Sequence, residues 1–156
     1  MITFSFAVLF FLLLIGFLKM NILHITKIIP LWLFIIFFSG IIMNAIFTNL
    51  QYITNPKALD PYFSYLILQD LLLPLTLLYI INIFIRLHTA LKWSALVLGS
   101  ILLVMGQRVG DSLGVIDFQH WNLGYALLLA VVIVFISIMF YLFLASDVLK
   151  GGRDHL

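Results

Sequence analysis

Leu66 to Tyr79 reads L-I-L-Q-D-L-L-L-P-L-T-L-L-Y, an apolar run that carries Gln69 and Asp70 side by side. Pro74 follows four residues after the aspartate. A carboxylate inside a membrane span is costly, so such a residue marks by default an ion path, a proton relay or a binding pocket. Proline has no N–H for the Asp70 carbonyl, which weakens an α-helix where the charge sits. A second apolar run, V-M-G-Q-R-V-G-D-S, holds Gln107, Arg108 and Asp111. A third carries Asn44 and Gln51.

The spacing of these groups predicts one polar layer. With a rise of about 1.5 Å per residue, Asp70 and Arg108 each lie roughly 8 Å below one membrane boundary, and Asn44 roughly 9 Å. An unpaired charge at that depth costs several kcal/mol. The expected remedy is an Asp70–Arg108 ion pair or an Asp70–Arg108–Asp111 cluster. Gln69, Gln107, Asn44 and Gln51 would surround it. Asn44 and Gln51 share a stripe with Gly40 and Thr48. Gln69 shares one with Tyr62 and Thr76, and Gln107 with Ser100 and Asp111. A sealed layer that only sets helix register is the plainer reading of the same residues.

Composition dictates the setting. The chain has 156 residues, 65% hydrophobic and 9% charged, against about 25% charged in a soluble domain. An integral membrane protein of one all-α domain follows. Five apolar segments meet the length of about 20 residues per span: 2–18, 30–50, 61–87, 93–113 and 122–145. The first lacks a basic n-region and an A-x-A site, so it reads as a retained helix and not a cleaved signal. Pro30 and Pro61 suit first helical turns, with Asp60 as an N-cap. Lys19, Lys27, Arg86, Lys92, Lys150 and Arg153 fall on one side of a five-span layout, with only Lys57 and Arg108 on the other. Basic residues mark the cytoplasmic side. The expected fold is therefore a bundle of five transmembrane helices, N-terminus outside and C-terminus cytoplasmic.

The fourth segment carries Gly99, Gly106 and Gly110, with Gly114 just beyond. The last three form G-x-x-x-G-x-x-x-G, a spacing that lets two helix backbones approach closely. Arg108 points away from this face. The segment between the last two spans, G-V-I-D-F-Q-H-W-N, is expected to lie in the membrane interface.

Several chemistries are absent. There is no cysteine, which excludes thiol nucleophiles, thiolate metal sites and disulfides. No two histidines have helical metal-pair spacing, and H-E-x-x-H, G-x-S-x-G and phosphate-cradling glycine loops are missing. Asp117 and His120 are a weak cation pair at best. No metal or cofactor is indicated. A net charge of +2, without a basic stripe, argues against nucleic acid.

The order of these features resembles a family of small uncharacterised five-helix membrane proteins of Gram-positive, spore-forming bacteria. The resemblance rests on the aspartate-plus-proline third span and on G-Q-R-V-G-D-S-L-G-V-I-D-F-Q-H-W-N before the fifth. The family pattern has an acidic residue where Gln107 stands. The resemblance implies a bacterial plasma membrane and carries no assigned activity.

Three functions fit. The first is a non-enzymatic accessory or scaffold protein that packs through the glycine face against another membrane protein or a second copy of itself. The second is an outward-facing protein that binds or transports a small solute or ion in a pocket lined by the Asp70–Arg108 cluster with Asn44, Gln69 and Gln107. The third is an intramembrane enzyme with Asp70 or Asp111 as general acid or base.

Overall fold

A computed structural model describes residues 1–46, 53–54, 58–118 and 122–151. It contains five helices long and apolar enough to cross a membrane. We number them α1 (Ile2–Met20), α2 (Ile25–Asn44), α3 (Leu59–Arg86), α4 (Lys92–Ser112) and α5 (Leu123–Gly151). Inside a bilayer each backbone N–H and C=O must pair within its own segment, and helices achieve this. A two-residue antiparallel ladder, β1 (Ile53–Thr54) with β2 (Asp117–Phe118), lies at one end of the bundle.

The element at the centre is α3, which touches all four other helices. Leu75, Leu77, Leu78 and Ile81 are wholly buried, on different sides of the same helix. A helix that is apolar all round belongs in an interior. At 28 residues it is roughly 42 Å long, more than the thickness of a hydrocarbon core of about 30 Å. The middle is not regular. Ile67–Leu72 is a π-turn, and the Leu73 N–H closes it on the Leu68 carbonyl. Pro74 then lacks the N–H that would reach the Gln69 carbonyl in a π ladder or the Asp70 carbonyl in an α ladder.

α1 lies parallel to α3 at the edge and is fastened at three levels. At its start, the Asp60 carboxylate accepts from the N–H groups of Ile2 and Thr3 at 3.2 and 3.4 Å and from Thr3 Oγ1 at 2.6 Å. An anion there suits the positive end of the helix dipole. In the middle, the Tyr79 hydroxyl donates to the Leu13 carbonyl at 2.7 Å. At its end, buried Asn82 donates to the Met20 carbonyl and accepts from the Ile22 N–H, both at 3.1 Å. Arg86 adds a bond to the same Met20 carbonyl.

Three boundary expectations need correction. Asp60 does not cap its own helix, whose N-cap is Ala58; it caps α1 instead, because the parallel packing brings that helix start against it. Pro30 lies inside α2, whose N-cap is His24, with the ring accepting from the Thr26 N–H. The apolar Val115 and Ile116 are buried in the bundle instead of lying in the interface. The cause is the end of α4. Gly114 adopts φ 67°, Gly114 N–H bonds the Asp111 carbonyl and Val115 N–H bonds the Gly110 carbonyl, each at 2.9 Å. This is a Schellman turn, which needs a left-handed residue and directs the following apolar side chain back onto the helix.

Candidate functional site

Two glutamine side chains meet the same space. A cavity of about 80 Å³ lies between α3 and α4, bordered also by Met43 of α2 and by Ala130 and Ile133 of α5. Gln69 and Gln107 both line it, together with Tyr65, Thr76 and Gly106. The rest of its surface is apolar. The volume accepts several waters or a solute of a few heavy atoms, since one water needs roughly 10–15 Å³ on this measure. The cavity sits toward the end of the bundle that carries the ladder.

Two polar atoms in it stand out. Among the described residues, Gln69 Oε1 and Gln107 Oε1 are buried without a hydrogen-bond partner. Each such acceptor costs about 1–3 kcal/mol if left unmade. Thr76 is different: its hydroxyl donates to the Leu72 carbonyl at 2.8 Å, which leaves its oxygen lone pairs for a donor. The walls therefore present acceptors on two facing helices.

Local backbone explains the pair. Gln69 lies inside the π-turn, and Gln107 follows Gly106, where a Cβ would meet nothing within 4 Å. The glycine is what leaves the space open on the α4 side. Its neighbours close it: Gly110 is filled by Ile116 and Leu68, each 3.1 Å from the position of a Cβ.

The charged residues are placed elsewhere. Asp70 and Arg108 do not pair. Arg108 instead meets Asp111 of its own helix at 3.7 Å, and both are well exposed, at 42% and 36% of their side chains. Among the described residues Asp70 has no ion-pair partner, and it is not part of the cavity wall. Rotation explains this: neighbours on a helix point about 100° apart, so turning Gln69 and Gln107 inward turns Asp70 and Arg108 away. Asn44 is exposed, and its neighbour Met43 reaches the cavity. Gln51, Thr48 and His120 lie outside the described residues, as does the side chain of Asp117.

The four glycines have separate roles. Gly99 packs on Ile80 of α3, where a Cβ would lie 2.8 Å from the Ile80 side chain. Gly110 packs on Leu68 and Ile116 as described. Gly106 borders the cavity, and Gly114 turns the chain. The close approach expected of this face is thus made within the chain. Sequence reasoning did not single out Asn82 or Tyr79; their polar ends on an otherwise apolar face of α3 were the available signal.

No protein-family model, no curated protein and no solved structure matches the chain.

Proposed function

We propose that this is a multi-pass membrane protein that binds a small hydrogen-bond-donating solute in the cavity between α3 and α4. The single observation that carries this reading is the pair of buried, unpartnered carboxamide oxygens, Gln69 Oε1 and Gln107 Oε1, on opposite walls of one cavity. A purely structural layer would pair its polar groups with one another, as buried polar groups otherwise do. Here they await a donor. The solute-binding reading therefore narrows from the expected five-residue pocket to its two amides, Gln69 and Gln107.

An accessory role through the glycine face has less support, because Gly99 and Gly110 are already occupied by Ile80, Leu68 and Ile116. For the enzymatic reading, among the described residues no serine or threonine hydroxyl donates to Asp70 or Asp111. We place the protein in a bacterial plasma membrane, with the ladder end outside. The bias of basic residues and the family resemblance support that placement.

The absence of cysteine makes the test direct. Gly106→Cys adds a thiol at the cavity wall, where a Cβ meets nothing within 4 Å. Lys57→Cys and Lys92→Cys report the two faces. In intact cells an impermeant thiol reagent should label positions 57 and 106 and leave 92 untouched. A folded Gly106→Cys protein that resists labelling would mean a sealed cavity and would defeat the reading. Labelling at 92 instead of 57 would reverse the topology.

A further inference from the structure

The walls of the cavity between α3 and α4 select a class of solute. None of the residues that line it is acidic, basic or a histidine. An ion entering there would give up its water without meeting a countercharge, which is costly away from bulk solvent. The occupant that suits these walls is neutral.

The polar part of the wall is small. It consists of Gln69, Tyr65 and Thr76 on α3 and Gln107 on α4. Each glutamine brings a carboxamide, with one carbonyl acceptor and an NH2 donor group. Thr76 adds oxygen lone pairs, its own proton being given to the Leu72 carbonyl at 2.8 Å. Much of the remaining wall is buried and apolar, with Leu72, Leu103, Ala130 and Ile133. A polyol would set several hydroxyls against those side chains, and a hydroxyl without a partner in apolar surroundings is unfavourable. One polar head on a short apolar body matches both parts of the wall.

The head must donate and accept, because a carboxamide does both. A primary amide does so from one planar group. Its two N–H bonds match Gln69 Oε1 and Gln107 Oε1, which are buried without a partner among the described residues. Its carbonyl matches a glutamine N–H. The volume of about 80 Å³ equals the room for roughly five to eight waters, which suits a molecule of that many heavy atoms or fewer. We propose that the solute is a small neutral amide, its head between Gln69 and Gln107 and its short alkyl part against Leu72, Leu103 and Ile133. This rests on the solute-binding reading above and names the chemistry of its ligand.

Thermal unfolding of the full chain in mild detergent, titrated with propionamide into the millimolar range, tests this. Propionamide should raise the unfolding temperature of wild-type protein saturably. Propionate, propylammonium and glycerol are similar in size and should need concentrations about tenfold higher, the scale of one hydrogen bond left unmade. Gln69→Leu and Gln107→Leu should each weaken the propionamide response about tenfold. Gly106→Leu fills the cavity from a position where a Cβ meets nothing within 4 Å and keeps both amides; it should remove the response. A propionamide response that survives both glutamine substitutions overturns the proposal. If a glutamine variant fails to fold, full response by Gly106→Leu overturns it and loss supports it. Equal potency of propionate, propylammonium or glycerol, lost in the glutamine variants, overturns the amide assignment and leaves the solute-binding reading standing. No response to any of the four probes also overturns the proposal, and labelling of Gly106→Cys then decides the solute-binding reading by itself.

Discussion

Gly16 and Tyr79 fit together as a notch and a peg. The Tyr79 hydroxyl reaches the Leu13 carbonyl at 2.7 Å, and a Cβ on residue 16 would lie 2.7 Å from that same hydroxyl oxygen. The bond that holds the middle of α1 to α3 therefore depends on the absence of a side chain one turn away. Phe17, buried beside the tyrosine with ring centroids 5.3 Å apart, fills the space around it.

This relationship predicts a coupled pair. Tyr79→Phe removes one hydrogen bond and should cost about 1 kcal/mol. Gly16→Ala should cost about 1–3 kcal/mol, because the new methyl displaces the hydroxyl from a packed site. Once residue 79 is Phe, the Gly16→Ala change should cost on the order of 1 kcal/mol less, since the clashing atom is gone. Reversible unfolding in detergent measures all three variants. Additive effects would show that the hydroxyl is not what requires the glycine.

Two glycines of α4 should respond in opposite ways to alanine. At position 99 a methyl would meet Ile80 Cδ1 at 2.8 Å and Cγ1 and Cγ2 at 3.0 Å. Cγ2 is attached directly to Cβ, so rotating the outer chain cannot clear it. Gly99→Ala should destabilise by about 1–3 kcal/mol. Gly106→Ala meets nothing and should be neutral or stabilising by up to about 1 kcal/mol through helix propensity. The same unfolding assay separates them, and equal losses would contradict the packing described.

The glutamines predict a sign. If Gln69 and Gln107 served only to hold helices together, replacing them with leucine would weaken the fold. Their buried Oε1 atoms have no partner among the described residues, so Gln69→Leu and Gln107→Leu should leave unfolding unchanged or raise stability by about 1–3 kcal/mol. Both should abolish any solute-dependent rise in the unfolding temperature seen with wild type. A clear loss of stability in either variant would favour a structural layer.

Asn82 offers the reverse case. It is 3% exposed, and both ends of its amide bond the chain where α1 stops, at Met20 and Ile22. Asn82→Leu leaves the Ile22 N–H without its acceptor and should cost about 1–3 kcal/mol. Limited proteolysis between α1 and α2 should accelerate with it. Unchanged cleavage would mean that Arg86, which bonds the same Met20 carbonyl, suffices alone.

The sequence by itself determined how many helices there are and nearly where they run. Hydropathy sums over about 20 residues, and a backbone in hydrocarbon has few ways to satisfy itself. It also determined which helices carry polar groups and that residue 74 disturbs its helix. It did not determine which way each helix faces. A one-residue choice turns a side chain by about 100°, and that turn separates Gln69 from Asp70 and Gln107 from Arg108. Five nearly all-apolar helices show weak amphipathic stripes, so their rotation about their own axes is set by packing contacts such as Ile80 in the notch of Gly99. The π-turn at Ile67–Leu72 resets the angle of everything before it, and its extra residue per turn leaves no mark in hydropathy. Tertiary structure alone decided that the amides face inward, that Asp60 caps a neighbour, and that Gly114 ends a helix instead of extending a packing stripe.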